Sequence, residues 1–115
     1  MATKKNKKPL GKGLVSEVGS IEDSTLAVML RGYKSRVASG YRALIKEEIK
    51  GAISPGKYLV SPKIDGELWF LIMEGKDPWL GNPNGRIISG DIPLLKEAAT
   101  LSNKFHDRTV LAGEL

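Results

Sequence analysis

The tetrapeptide Lys63-Ile64-Asp65-Gly66 lies between two apolar runs and constrains the fold of this chain more than any other feature. Residues 58–60 precede it and residues 68–73 follow it, and both runs are aromatic or aliphatic. An Asp-Gly pair is typical of a hairpin turn, and short apolar runs bounded by turn residues are typical of strands. We therefore predict strands over residues 57–62 and 67–73, with the lysine in the segment between them.

Helical periodicity occupies two further stretches of the chain. Asp23 or Ser24 is a suitable N-terminal cap, and apolar residues recur three and four positions apart over residues 23–50, interrupted at Gly32. A second helix is predicted over residues 91–105, with Asp91 as its cap and Pro93 in its first turn. Short strands are predicted over residues 86–89 and 109–112. This order of helices and strands predicts an α+β fold.

Composition excludes several classes of function. The chain has 115 residues and no cysteine, so it is one domain at most and has neither disulfides nor thiolate metal sites. The single histidine, His106, excludes a histidine metal cluster. No apolar run approaches the roughly 20 residues that span a bilayer, and no hydrophobic segment follows the basic N-terminus as in a signal peptide. We expect a cytoplasmic protein without membrane association.

The net charge of +5 resides at the N-terminus. Five of the 18 basic residues precede the first acid, Glu17, and the other 13 basic residues balance the 13 acidic ones. The five are Lys4, Lys5, Lys7, Lys8 and Lys12. We predict that residues 1–16 form a disordered basic tail. Such a tail either solubilises a chain or holds a polyanion by counterion release.

The position of Lys63 fits a nucleophile as well as an ordinary turn residue. A lysine must be partly desolvated, or placed beside other cations, before its amine attacks phosphorus. We expect the apolar runs on both sides to bury Lys63, and Gly66 to let a ligand or the backbone approach closely. Taken alone, Lys-x-Asp-Gly is equally a common hairpin turn.

Three segments of the chain resemble motifs of one enzyme family. Residues 61–68, Ser-Pro-Lys-Ile-Asp-Gly-Glu-Leu, resemble motif I of the covalent nucleotidyltransferases, which include ATP-dependent DNA ligases, RNA ligases and mRNA capping enzymes. Residues 84–91, Asn-Gly-Arg-Ile-Ile-Ser-Gly-Asp, resemble the arginine-containing motif Ia, and residues 111–115, Leu-Ala-Gly-Glu-Leu, resemble motif III. The resemblance implies the N-terminal portion of an ATP-grasp-like nucleotidyltransferase domain, with an antiparallel sheet and flanking helices.

The resemblance implies a role for each matching position. Lys63 would attack the α-phosphate of ATP, in the presence of Mg²⁺, and carry AMP as a lysyl-nucleotide. Asp65 and Gly66 would shape the loop of the lysine. Arg86 would lie near a phosphate of the nucleotide or of the nicked strand, and Glu114 would accept hydrogen bonds from the ribose hydroxyls. No residue of this chain is matched to a metal ligand.

The implied activity is that of an ATP-dependent polynucleotide ligase that seals nicked DNA in repair, recombination or replication. AMP would pass from the lysine to the 5′-phosphate of a strand break, and the 3′-hydroxyl would then displace AMP. Leu68 stands where DNA ligases usually carry an arginine, and some RNA ligases have an apolar residue there. RNA is therefore an alternative substrate.

The resemblance also implies that much of the enzyme is missing. Residues 17–115 would be a partial adenylation domain that stops after motif III, without the later motifs or the OB-fold domain of most relatives. We expect a truncated chain that is catalytically weak or inactive in isolation. Two alternatives remain, namely a non-catalytic basic nucleic-acid-binding module in which Lys63 is a turn residue, and a degenerate relative that keeps the fold for interaction.

Overall fold

A six-stranded antiparallel sheet with helices on both faces forms the framework of the chain, which confirms the α+β prediction. The structure, a computed structural model, describes residues 7–105 and 107–115, so Lys4, Lys5 and His106 lie outside the described residues. The strands are β1 (Lys7–Leu10), β2 (Lys12–Ser16), β3 (Leu68–Met73), β4 (Trp79–Gly81), β5 (Ile87–Asp91) and β6 (Thr109–Glu114). The helices are α1 (Ser24–Arg31), α2 (Tyr33–Ala38), α3 (Ile49–Ala52) and α4 (Pro93–Leu101), with 3-10 turns at Lys46–Glu48 and Ser102–Lys104. None of the helices in the described residues is long and apolar enough to cross a membrane.

The strand order is β1-β2-β5-β4-β3-β6, and every neighbouring pair is antiparallel. The longest pairing joins β3 to β6, from Leu68 opposite Glu114 to Met73 opposite Thr109. Because directions alternate, β1, β3 and β5 begin at the end of the sheet where β2, β4 and β6 finish. We call this the motif end, and it carries Lys7, Ser16, Leu68, Gly81, Ile87 and Glu114. The opposite end is called the distal end.

The two faces of the sheet bury separate apolar clusters. On one face α1 packs Leu30 against Phe70 of β3, and Tyr33 contacts the Phe70 ring edge-on with centroids 5.1 Å apart. On the other face α4 packs Leu95 against Trp69. Consecutive strand residues point to opposite faces, so the continuous apolar run of β3 serves both clusters. Each fully buried side chain of this kind contributes about 1.5–3 kcal/mol.

The two long helices begin differently. Of the two predicted caps, Asp23 caps α1, because its Oδ1 accepts a hydrogen bond from the Leu26 backbone N–H over 3.0 Å, and Ser24 is the first helical residue. The predicted cap at Asp91 was wrong. Asp91 is still extended and paired with Lys12 in the sheet, and its carboxylate contacts Lys96 Nζ at 2.7 Å. The cap residue of α4 is Ile92, and Pro93 is the first helical residue.

The prediction of a disordered tail was wrong over residues 7–16. Lys7–Leu10 and Lys12–Ser16 form a hairpin whose turn residue, Gly11, has a φ of 57°, a conformation that glycine adopts without strain. β2 then pairs with β5, and Val15 packs against the cluster beneath α4. Backbone pairing to a distant strand orders this segment despite its lysine-rich composition.

Residues 39–67 depart furthest from the prediction. The helix predicted to reach residue 50 ends at Ala38, and no residue between 39 and 67 is buried. Tyr41 and Ile45, expected on its apolar face, are 75% and 61% exposed. An amphipathic helix is stable mainly when its apolar face packs against another surface, and none of the described residues covers this one.

The strand predicted over residues 57–62 does not form. β3 has β4 on one side and β6 on the other, so both of its edges are occupied. No position beside β3 is left for the residues that precede the tetrapeptide. The predicted strand over residues 67–73 is present from Leu68 to Met73.

Candidate functional site

The sheet brings three of the expected site segments to the motif end. Gly66 lies two residues before β3, Arg86 immediately before β5, and Glu114 is the last residue of β6. Neighbouring strands lie about 4.8 Å apart, so Arg86 is about 10 Å from the start of β3 and about 14 Å from the end of β6 along this end. The candidate site is a row of functional groups across one end of the sheet.

Gly66 and Glu114 are direct neighbours. Glu67 and Leu115 exchange two backbone hydrogen bonds of 3.0 and 2.9 Å, which continue the pairing of β3 with β6 by one residue. A β-carbon at Gly66 would lie 2.5 Å from the Leu115 carbonyl oxygen and 3.4 Å from Glu114 Oε2. The absence of a side chain at Gly66 is therefore what lets the Leu115 backbone, and with it the end of β6, lie beside the tetrapeptide.

Lys63 and Asp65 lie in the exposed stretch before β3. The expectation that apolar neighbours bury Lys63 was wrong, because Val60 is 88% exposed and Ile64 is 63% exposed. Residues 58–60 have no sheet partner among the described residues and so cannot cover the lysine. Lys63 is accessible to a ligand. Only a bound ligand could exclude water from its amine, because the neighbouring residues do not.

Arg86 is half-buried and held by two other parts of the chain. Its Nε donates to the Ser16 carbonyl oxygen over 3.1 Å, and its backbone N–H donates to Asn82 Oδ1 over 2.8 Å. Asn82 Oδ1 also accepts from the Asn84 N–H at 3.1 Å, so this buried amide shapes residues 82–86. The terminal Nη atoms of Arg86 have no acceptor among the described residues, which suits bidentate contact with a phosphate.

Ser16 and Asn82 are the positioning residues that sequence reasoning missed. Ser16 Oγ accepts a hydrogen bond from the Ile87 N–H at 2.7 Å and donates to the Glu17 carbonyl oxygen at 3.1 Å. Its partner Ile87 is 71 positions away, so no local signal indicates the contact. Asn82 lies in a segment of turn residues. Its role as a buried hydrogen-bond acceptor depends on its burial, which a pattern of turn residues does not predict.

The motif end carries charges of both signs. Arg86 is cationic and Glu67 and Glu114 are anionic, and the exposed segment with Lys63 and Asp65 leads to this end. Within residues 7–105 and 107–115, no group of three or more His, Cys, Asp or Glu residues is arranged to hold a metal ion. The arrangement suits a ligand with both phosphates and hydroxyls, and the described residues form no metal site of their own.

A cavity of about 900 Å³ lies at the distal end, away from Lys63. Arg108 spans part of its rim, with Nη2 2.9 Å from Asp23 Oδ2 and Nε 3.4 Å from Glu74 Oε2. The Leu26 N–H and then the Arg108 guanidinium hydrogen-bond to Asp23 and hold the pKa of its carboxyl below the usual value. Arg108 already pairs with Asp23 and Glu74 and thereby connects α1 to the strands. The cavity is large, but its charged groups have this structural role, so it is not the candidate site.

Comparison of the chain with protein-family models, with curated proteins and with solved structures gives no match. The fold defines the chain as an α+β protein. An anchored arginine and a carboxylate beside Gly66 share one end of its antiparallel sheet, and an accessible lysine precedes that end in the chain.

Proposed function

We propose that this chain is the N-terminal part of the adenylation domain of an ATP-dependent polynucleotide ligase, with nicked DNA as its substrate. The observation that carries the proposal is the apposition of Gly66 and Glu114, with Arg86 at the same end of the sheet. The segments that resemble motifs I, Ia and III are distant in sequence, and the strand register supports one common site for them. We also propose that the protein is cytoplasmic.

Lys63 is the proposed nucleophile. Its deprotonated Nζ attacks the α-phosphorus of ATP, a P–N bond forms, and pyrophosphate leaves with the electron pair of the broken P–O bond. The exposure of Lys63 supports access of the nucleotide, whose binding then excludes water from the amine. Mg²⁺ belongs to the substrate in this proposal, because it accompanies the phosphates of ATP and reduces their negative charge.

Arg86 and Glu114 are the proposed binding residues. The guanidinium is anchored through Nε, so its Nη atoms remain to contact a phosphate of the nucleotide or of the nicked strand. The Glu114 carboxylate is an acceptor for ribose hydroxyls, and Asp65 and Gly66 shape the loop of the lysine. AMP then passes to the 5′-phosphate of the break, and attack by the 3′-hydroxyl releases AMP and joins the strands.

We also propose that polypeptide outside these 115 residues completes the catalytic site. Within the described residues, Lys63 has no enclosing pocket and no metal-binding cluster. The 115-residue chain in isolation is therefore expected to seal nicks weakly or not at all.

Covalent labelling with α-labelled ATP and Mg²⁺ tests the proposal. The polypeptide translated from the complete reading frame is compared with its Lys63→Ala variant and with Lys57→Ala, a matched change in the same exposed segment. We expect label that survives denaturing electrophoresis and is released by mild acid, as a P–N bond requires, on wild type and Lys57→Ala only. Absence of label on wild type, or undiminished label on Lys63→Ala, would refute the assignment.

RNA is the alternative substrate for the same chemistry. Leu68, which stands where DNA ligases usually have an arginine, is half-buried and packs against the cluster beneath α1. The residue therefore serves the core of this fold and is not available to recognise a strand. Sealing assays on the complete polypeptide should compare nicked DNA, nicked RNA and hybrid duplexes.

A second candidate function is a non-catalytic nucleic-acid-binding module. It is favoured by the exposed lysines of the β1–β2 hairpin. In that case Lys63 is a turn residue, salt-sensitive binding survives Lys63→Ala, and no covalent AMP forms.

A further inference from the structure

The β1–β2 hairpin brings exposed lysine side chains to the motif end. Lys7 pairs with Ser16, the residue whose carbonyl oxygen accepts the hydrogen bond from Arg86 Nε. Lys8 follows along β1 with its side chain on the opposite face of the sheet, and both lysines are exposed. Neither forms an ion pair with any residue that the structure describes. The hairpin thus extends the row of functional groups across the motif end.

The row is long enough for several nucleotides. From β3 to β1 there are four strand spacings, which amount to about 19 Å. A nucleic-acid strand advances about 3.4 Å per nucleotide along a duplex axis, so this distance corresponds to roughly six nucleotides. In this row Arg86 lies between Lys7 and the start of β3. Arg86 and Lys7 therefore place two cations along the motif end, and Lys8 adds a third from the other face of the edge strand.

The hairpin is also suited to hold its lysines in place. Pairing of β2 with β5 anchors it to the sheet, so less conformational freedom is lost on binding than for a flexible tail. Pro9 removes one backbone donor from β1, which lies at the edge of the sheet, and a proline with flanking lysines opposes pairing with a further strand. The exposed edge is consequently better suited to electrostatic contact than to strand addition.

We propose that Lys7 and Lys8 of the β1–β2 hairpin bind the phosphate backbone of the polynucleotide about six nucleotides from the reacting end. The inference rests on the proposed ligase function and adds to it the path of the substrate across the motif end. Contacts of this kind position a strand without reading its sequence. Lys12, on the same hairpin, lies opposite Asp91 at the distal end and takes no part.

Fluorescence anisotropy of a labelled nicked DNA duplex, titrated with the 115-residue chain over a range of salt concentrations, tests the contact. The Lys7→Gln/Lys8→Gln variant is compared with Lys12→Gln/Lys76→Gln, which removes the same charge from exposed lysines at the distal end. We expect the first pair to weaken binding about tenfold or more. It should also reduce the slope of log K against log salt by about 1.8, or about 0.9 for each lost contact. The control pair should retain the wild-type slope.

Shortening the duplex locates the contact. Each arm beside the nick is reduced in turn to about four base pairs, which is less than the roughly six-nucleotide reach of the row. Shortening the arm under the hairpin should weaken wild-type binding to the level of Lys7→Gln/Lys8→Gln, and the variant should not respond. Protection of Lys7 and Lys8 from amine acetylation by bound duplex, measured on wild type, gives a second readout that requires no variant.

Three outcomes would overturn the proposal. Equal losses in both variant pairs would indicate an effect of net charge alone, and unchanged binding would exclude the hairpin. Loss of binding to anionic phospholipid vesicles, with DNA binding intact, would assign the lysines to a membrane surface. Failure of the proposed ligase function would be seen in a different experiment, as absence of covalent AMP on the complete wild-type polypeptide. The salt dependence of duplex binding tests the hairpin contact independently of that result.

Discussion

The hydroxyl of Ser16 accepts a hydrogen bond from the backbone N–H of Ile87 over 2.7 Å, and both residues are buried. The contact joins the end of β2 to the start of β5, beside the point where Arg86 Nε contacts the Ser16 carbonyl oxygen. A single residue of the hairpin therefore holds two consecutive residues of the candidate site.

Removal of this hydroxyl should destabilise the chain. Ser16→Ala leaves the buried Ile87 N–H without its acceptor, which costs about 1–3 kcal/mol in the free energy of unfolding. Urea unfolding measures the change. Ser39→Ala is the matched control, because Ser39 is exposed and its Oγ–H donates to the Arg36 carbonyl oxygen, and a change within about 0.5 kcal/mol is expected. Equal losses in the two variants would contradict this assignment.

A side chain at Gly66 should separate the ends of β3 and β6. In Gly66→Ala the β-carbon would lie 2.5 Å from the Leu115 carbonyl oxygen, so the hydrogen bonds between Glu67 and Leu115 must open. We expect a loss of about 1–3 kcal/mol and faster amide hydrogen exchange at these two residues. Gly113→Ala, in the neighbouring strand with open space at its β-carbon, should change stability by less than about 1 kcal/mol. Unchanged exchange at Glu67 in Gly66→Ala would contradict the close approach.

Two positions on α1 distinguish the buried from the exposed side of the helix. Leu30 is 1% exposed and packs on Phe70, so Leu30→Ala should cost about 2–5 kcal/mol. Val28, on the same helix, is 62% exposed, and Val28→Ala should change stability by about 0.5 kcal/mol or less. Thermal unfolding of the two variants measures the difference, and a similar Tm for both would mean that α1 does not pack as described.

The carboxylate of Asp23 should make stability depend on pH under acidic conditions. The Leu26 N–H and Arg108 lower its pKa from the ordinary 3.8, so the ionised form is favoured in the folded state. The stabilisation is therefore fully present above the unfolded-state pKa and is lost as pH falls through the lower folded-state pKa. Asp23→Asn keeps a good capping side chain without the charge. Between about pH 5 and about pH 2, wild type should lose more stability than Asp23→Asn, and parallel pH profiles would count against the interaction.

Secondary structure was predictable where a segment carries its own signal. The Asp23 cap with Leu26 and Leu30 four residues apart predicted α1, and the apolar run of residues 68–73 predicted β3. The sequence predicts no strand at β4, because three residues among prolines and glycines have no periodicity of their own. Its pairing with β3 on one side and β5 on the other supplies the stability that local sequence lacks.

The candidate site was predictable only as a set of residues. The resemblance to nucleotidyltransferase motifs indicated Lys63, Arg86 and Glu114, and these functional roles remain predictions. Nothing in the order of the segments specified that strand ends would align, nor that Ser16 would anchor Arg86. Burial of Lys63 was expected from adjacent apolar residues and does not occur, because those residues have no neighbouring strand to pack with.

Local sequence therefore determined the elements that their own capping residues and apolar spacing indicate. It also determined which functional side chains the chain carries. Long-range packing dictated that the lysine-rich residues 7–16 pair as strands, that residues 39–67 stay outside the core, and that Gly66 meets Glu114. The reason is physical. A cap or an apolar stripe acts within a few residues, whereas strand pairing and side-chain burial require a partner surface that distant parts of the chain provide.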